Sequence, residues 1–423
     1  MPGTDPHSTV ETVWRIEAPK LIAGLTRLVR DVGRAEDLAH DALVAALEQW
    51  PSEGVPKNPG AWLMQAAKHR AIDHLRRARR ARVKNAALAS ETKAAEHPDF
   101  DAALDDDLGD DLLRLIFTAC HPVLSAEART ALTLRLLGGL TTAEIARAFL
   151  VPEATVAQRI VRAKKTLAKE RPPFEVPRGA DRAARLASVL EVIYLVFNEG
   201  YTATAGRELT RPDLCEEALR LARVLAGLMP DEAEVHGLVA LLELQASRLR
   251  ARVGEGGEAV PLPQQNRARW DRLLIRRGLA ALARAEALGD PGVYTLQAAI
   301  AACHARALSV GQTDWARIAG IYSRLAALTG SPVVQINRAV AIGMSGETEA
   351  GLALLDRLAT EPPLASYHLL PAARGELLER AGRRAEAAEE FARAAALTQN
   401  ARERAVLEAR ARADRTPNAP PDR

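Results

Sequence analysis

Aromatic residues make up only 4% of the chain, and β-branched runs with period-two alternation are nearly absent, which leaves little material for half-buried strands. Cysteine is scarce as well. Cys120, Cys215 and Cys303 are far apart and odd in number, which excludes a disulfide framework and fits reduced thiols. No stretch reaches the ~18 consecutive apolar residues of a membrane span. The opening MPGTDPHSTVETVW lacks the basic-then-apolar order of a secretory signal, so a cytoplasmic location is expected. There is no GxxxxGK[ST] phosphate loop, and no CxxC or HxxxH spacing that would build a metal site. Cys120–His121 and Cys303–His304 are adjacent pairs, and adjacent positions on a helix do not face each other. No convergent catalytic set emerges, and neither an enzymatic role nor a cofactor is expected.

What is present is Ala, Leu and Arg, within an apolar content of 48% over 423 residues. That composition points to an all-α protein, and the length to about two to four domains. The net charge of +3 carries no message; local charge clusters do. One cluster comprises Lys68, Arg70, Arg76, Arg77, Arg79, Arg80, Arg82 and Lys84, with Asp73 its only acid. A second comprises Arg159, Arg162, Lys164, Lys165, Lys169 and Arg171. Between them, Glu96 to Asp111 hold eight acids and no Lys or Arg. Two basic helices on a hinge suit two separated stretches of DNA, because Lys and Arg on phosphate release condensed counterions.

Four segments follow from the patterning. Residues 1–84 hold three or four helices. One carries apolar positions from Val13 to Val29; a second, through Leu38 and Leu47, is expected to stop at Pro51. After the Pro- and Gly-dense loop PSEGVPKNPG, a third starts near Pro59. Residues 85–111 form an acidic tether. Such runs are solvated and mobile; the sharper reading is that they mimic nucleic acid in a basic channel of a partner. Residues 112–171 end in TTAEIARAFLVPEATVAQRIVRAKKTL. Ile145, Ala146 and Phe149 mark one short helix; Val156, Ile160, Ala163 and Leu167 mark a second at spacings of four, three and four. This is a helix-turn-helix pattern, whose second helix enters the major groove. Thr155, Gln158, Arg159, Arg162 and Lys165 fall away from its apolar face. Arg159 or Gln158 could read a base edge, whereas Lys164, Lys165 and Lys169 suit phosphate.

Beyond the break RPPFEVPRG, residues 180–423 are helical, interrupted by the long loop Gly254 to Asn266. Gly311, Gly346 and Gly382 recur roughly 35 residues apart, each ahead of an Ala- and Leu-patterned helix, as in tetratricopeptide-type hairpins. Asn198, Glu199 and Tyr201 form one polar knot in an apolar helix, either a small-molecule site or a buried hydrogen-bond cluster.

These motifs resemble a known family. RAEDLAHDALVAALEQW and NPGAWLMQAAKHRAIDHLRRARR are similar to the first domain, and TTAEIARAFLVPEATVAQRIVRAKKTL to the second domain, of bacterial RNA polymerase sigma factors of the extracytoplasmic-function group in the sigma-70 family. EVIYLVFNEGYTAT, DLCEEALRLARVL, LQAAIAACHA, TDWARIAGIY and SPVVQINRAVA resemble a subgroup with a long tetratricopeptide-like C-terminal extension. His40 and Asp41 stand where Gln and Glu are more usual. The resemblance implies core RNA polymerase and promoter DNA as partners. Asp37, Leu38, Asp41 and Val44 would contact the polymerase, although for leucines packing within the bundle is the commoner role and Asp37 and Asp41 are the stronger candidates. Asn58, His69, Arg70, Arg76, Arg77 and Arg80 would bind and open the −10-type element, with Trp62 either stacking on a base or lying in the core. Thr155, Gln158, Arg159, Arg162 and Lys165 would read the −35-type element. The extension would regulate, by intramolecular contact with the sigma domains. A duplex-binding transcription factor acting without polymerase, or a repeat scaffold, are the competing classes.

Overall fold

The computed structural model describes residues 6–86, 108–149, 151–201, 210–254, 260–361, 364, 367–398 and 401–415. Residues 87–107, most of the expected acidic tether, lie outside the described residues. No β-strand occurs among the described residues, and the chain divides into two compact units, 1–196 and 197–423.

In the first unit, Pro6–Val29 (α1), Val32–Glu53 (α2) and Pro59–Ala86 (α3) pack as a bundle joined by Leu108–Ala119 (α4). Its core is Leu21, Ile22 and Leu25 of α1, Leu38, Ala42 and Ala46 of α2, and Leu63 and Ala67 of α3. Each buried Leu or Ile removes apolar surface from water, stabilising the fold by about 1.5–3 kcal/mol. The Asp31 carboxylate accepts from the Arg34 N–H at 2.8 Å and so caps α2. Contrary to expectation, α2 passes Pro51 and ends at Gly54, whose φ is 87°. Pro51 is exposed in the last turn, where a missing N–H costs the helix little, and the positive-φ glycine supplies the stop. Residues 108–111, acidic enough to read as tether, are the first turn of α4, where carboxylates favour the positive helix end. Asp111 is 1% exposed there, holding Arg27 of α1 at 3.1 Å and Arg114 at 2.7 Å.

Ala126–Leu136 (α5), Thr142–Phe149 (α6) and Glu153–Glu170 (α7) form the helix-turn-helix. Its entry is a reciprocal capping box: Thr141 N–H donates to Glu144 Oε2 at 2.7 Å, and Glu144 N–H to Thr141 Oγ1 at 3.1 Å. α7 stops at Arg171 in the left-handed region, φ 46°, ahead of two prolines. Gly179–Tyr201 (α8) follows, and its first half is fastened to the helix-turn-helix domain. Ser188 Oγ donates to the Cys120 carbonyl at 2.7 Å, Arg185 donates to the Phe117 carbonyl at 2.9 Å, and Glu191 pairs with Arg129 at 3.2 Å.

The second unit continues through Pro212–Leu228 (α9), Ala233–Ala246 (α10), Arg272–Leu288 (α11), Val293–Arg306 (α12), Trp315–Thr329 (α13), Pro332–Met344 (α14), Thr348–Leu358 (α15), Leu369–Arg380 (α16), Arg384–Leu397 (α17) and Ala401–Arg415 (α18). The periodic glycines Gly346 and Gly382 are the turns between α14 and α15 and between α16 and α17, with φ of 111° and 79°, angles that side chains resist. Leu352, Leu355, Leu377, Leu378 and Phe391 are the core of these pairs. The expected polar knot divides. Asn198 is exposed, while Glu199 is buried against Arg211; Tyr201 stacks on Phe197 at 5.5 Å.

All three thiols are buried and free. Burial pushes Cys120 up to about 11 and Cys215 up to about 12, which leaves them unreactive. No helix among the described residues is long and apolar enough to cross a membrane.

Candidate nucleic-acid interface

α7 sorts its residues by face. Val156, Ile160, Ala163 and Leu167 are buried at the spacing expected from the sequence. On the other side Gln158, Arg162 and Lys165 are exposed, with Thr155 and Arg159 half-buried at the margin. Arg159 and Arg162 line a cavity of about 340 Å3 together with Val123, Ser125, Glu127 and Thr166. Ser125 caps α5 there. The Glu127 backbone N–H and the Ser125 hydroxyl, with Arg159 nearby, hold the Glu127 carboxyl below the usual range. The Arg162 guanidinium beside a helix N-terminus suits a phosphate of the DNA backbone.

Lys164 turns the opposite way. Its ammonium pairs with Glu36 of α2, which is 3% exposed. Glu36 Oε1 also accepts from Arg135 Nε of α5 at 2.7 Å. Arg135 donates further to His40 Nε2 at 3.0 Å and to the Leu140 carbonyl at 3.2 Å. Since guanidinium can only donate, His40 Nε2 accepts, and its Nδ1 proton goes to the Glu36 carbonyl at 2.8 Å. Trp14 covers the imidazole at 5.3 Å between ring centres. Burial would raise the Glu36 carboxyl, but Lys164 and Arg135 outweigh it and hold the group below its ordinary 4.5. A carboxylate, two cations and an imidazole from three helices thus lock α7 and α5 onto α2.

Around this lock, α2 exposes Asp37 and Asp41, one turn apart, and Val44, which is 51% exposed despite being apolar. Leu38 is 3% exposed, in the bundle core behind that surface. On α3, Asn58 is exposed and its Oδ1 accepts from the Ala61 N–H at 3.1 Å, so it is the helix cap. His69 and Arg76 are exposed, Arg76 lying 3.9 Å from Asp73. Arg70 donates to the Asp41 carbonyl, tying α3 to α2. The side chains of Arg77 and Arg80 lie outside the described residues. Trp62 sets its edge against the buried Trp50 at 5.4 Å.

The sequence pattern did not single out Glu36 and Arg135, although one signal was available. Glu36 occupies a position of the apolar stripe Val32, Ala35, Ala39, where an acid needs a buried partner.

Comparison with known proteins places these elements. Residues 14–81 match the family model for sigma-70 region 2 and residues 114–167 that for sigma-70 region 4, while residues 185–286 match a family of unknown function, DUF6596. An uncharacterised protein of Rhizobium meliloti (strain 1021) is 44% identical over 394 residues, 92% of each chain. The ECF RNA polymerase sigma factor SigL of Mycobacterium tuberculosis is 32% identical over 165 residues, 38% of this chain and 83% of that protein. The probable RNA polymerase sigma-C factor of Mycobacterium bovis is 28% identical over 173 residues, 40% of this chain and 82% of that protein. Both sigma regions occur in order, on the two helical domains whose surfaces carry the basic faces, and the chain belongs to the ECF-type sigma factors of transcription initiation, with a long helical C-terminal extension.

Proposed function

We propose that the two sigma regions read a bipartite promoter on core RNA polymerase, that the Glu36 lock holds them together beforehand, and that the extension regulates the outcome. Asp37, Asp41 and Val44 face the polymerase, with Leu38 shaping the helix from within the core. Asn58, His69, Arg70, Arg76, Arg77 and Arg80 engage and open the −10-type element, where the exposed loop before Asn58 receives an unstacked base. Thr155, Gln158, Arg159, Arg162 and Lys165 read the −35-type element as duplex. The observation that carries this reading is the division of α7. Its DNA side is open, while Lys164 on its other side is bound to Glu36, next in sequence to the polymerase-facing Asp37. A polymerase surface that takes hold of Asp37 and Asp41 acts within one turn of the lock.

For the extension, close helix crossings support tetratricopeptide-like pairs. A Cβ on Gly351 would lie 2.7 Å from the Ala339 carbonyl oxygen, and one on Gly375 2.7 Å from the Phe391 ring. Reconstituted transcription with core polymerase, comparing the full chain with one ending after Tyr201, tests the regulatory role. Different outputs are expected; equal outputs would remove it. Tight duplex binding with no affinity for core polymerase would favour an ordinary DNA-binding regulator instead.

A further inference from the structure

One large apolar side chain of α7 stands outside the core of that helix. Val156, Ile160 and Leu167 are 1%, 6% and 5% exposed, whereas Val161 is 49% exposed. A β-branched residue on an open helix surface lowers helix propensity and leaves apolar area in water, so packing within α7 does not account for it. Its place on the helix does. Residues three and four apart are neighbours on a helix surface, which sets Val161 between Gln158 and Lys165, both exposed. Arg162, next in sequence, is exposed as well. Lys164, the other neighbour in the following turn, has its ammonium on Glu36. The contact roles considered so far belong to polar side chains, and Val161 puts one apolar point among them.

That point has a specific counterpart in duplex DNA. Base edges in the major groove present donors, acceptors and one apolar group, the C5 methyl of thymine. Cytosine has no methyl there and instead offers an amino donor, which a valine cannot accept and would strip of water at a cost. β-branching holds valine near one rotamer in a helix, so its methyls are placed in advance and little freedom is lost on contact. Gln158, one turn earlier, carries the amide that suits adenine N6 and N7. Arg162 and Lys165 suit phosphates, whose contacts fix the register of the helix on the duplex. Charge and apolar character on this face are therefore both complementary to a groove that holds A·T pairs.

Resting on the region 4 reading above, we propose that Val161 is a specificity-determining residue of α7. It packs on the C5 methyl of a thymine in the −35-type element, within one base-pair step of the pair that Gln158 meets. The test uses the full chain bound to core RNA polymerase, which first selects its element from a randomised duplex pool. Each thymine of the selected −35-type element is then replaced by deoxyuridine, which keeps base pairing and every groove donor and acceptor and removes only the methyl. Affinity should fall about fourfold at one thymine, the worth of one methyl-sized group taken out of water. Val161→Ala should lose a similar factor on the thymine duplex and become blind to deoxyuridine at that position. Arg162→Gln should weaken both duplexes alike and keep their ratio. With cytosine at the same position, 5-methylcytosine should recover part of the affinity lost. Because Val161 lies outside the core of α7, Val161→Ala should melt with the wild type, which keeps a loss of folding from imitating the result. A complex that selects no −35-type element overturns the region 4 reading, and this proposal with it. An element in which no thymine responds to deoxyuridine, or a response that survives Val161→Ala, overturns the proposal alone. So does loss of core-polymerase binding by Val161→Ala without DNA, which would put the contact on the polymerase.

Discussion

Glu36 on α2 accepts a 2.7 Å hydrogen bond from Nε of Arg135 on α5, 99 positions away in the sequence. The same carboxylate takes the Lys164 ammonium of α7. On the function proposed above, promoter recognition and polymerase docking would share one buried anion.

Replacing Glu36 by Gln leaves two cations without their counter-charge. Both are about a quarter exposed, at 24% and 23%, so they can turn partly to water. The cost is accordingly put at about 2–3 kcal/mol, toward the low end for a broken buried pair. For a unit of this size that is a fall in Tm of roughly 5–10 °C. Calorimetry of wild type and variant measures it, and a shift under a degree would show that the lock is not formed in solution.

The lock's pH response has a definite sign. A carboxylate held below its ordinary value contributes fully above 4.5 and is lost only as pH falls through the lowered value. Energy transfer between dyes on α2 and α7 should stay constant from about pH 8 to about pH 5 and fall only in stronger acid. Separation at mildly acidic pH would contradict this.

In the extension the titrating group is His304, with an imidazole lowered from 6.5 to about 4. A histidine kept neutral in the fold stabilises it fully above 6.5, and that contribution drains away as pH falls toward 4. The loss approaches about 3 kcal/mol. Denaturant titrations of the extension's transition at pH 7 and pH 5 check it, and His304→Gln should flatten the difference.

Much of this was legible beforehand. Val156, Ile160, Ala163 and Leu167 revealed α7 because its core side is purely apolar. Ile145, Ala146 and Phe149 marked its partner helix by their apolar spacing, while the Thr141–Glu144 capping box that opens it went unread. The Glu36 lock was not legible, because it joins three helices distant in sequence and pattern reading sees only neighbours. The same holds for Asp111, whose burial depends on Arg27 of α1. Pro51 misled because the breaker rule assumes an interior helical turn, whereas this one is exposed and final.

On the DNA face, Arg162→Ala and Lys165→Ala should weaken promoter binding alike for all sequences, each lowering the salt slope by about 0.9. Substituting Gln158 or Arg159 should instead cost about 1–3 kcal/mol at one base pair of the −35-type element. Affinities across salt and across single-base variants separate the two classes.

Cutting the chain before α8 removes Ser188, Arg185 and Glu191 from the helix-turn-helix domain. A fragment ending at residue 179 should melt lower than one ending after Tyr201, by several degrees at about 1 kcal/mol for each lost hydrogen bond. Equal melting of the two fragments would show that α8 is not a support of region 4.

The most direct test is run-off transcription with purified core RNA polymerase, a promoter identified by selection with this chain, and either wild-type protein or the Arg159→Ala, Arg162→Ala, Lys165→Ala variant. A defined start that requires wild-type chain and is lost with the variant, while both still bind core polymerase, is the predicted result. A chain that fails to bind core polymerase, or a start unaffected by its addition, would contradict it.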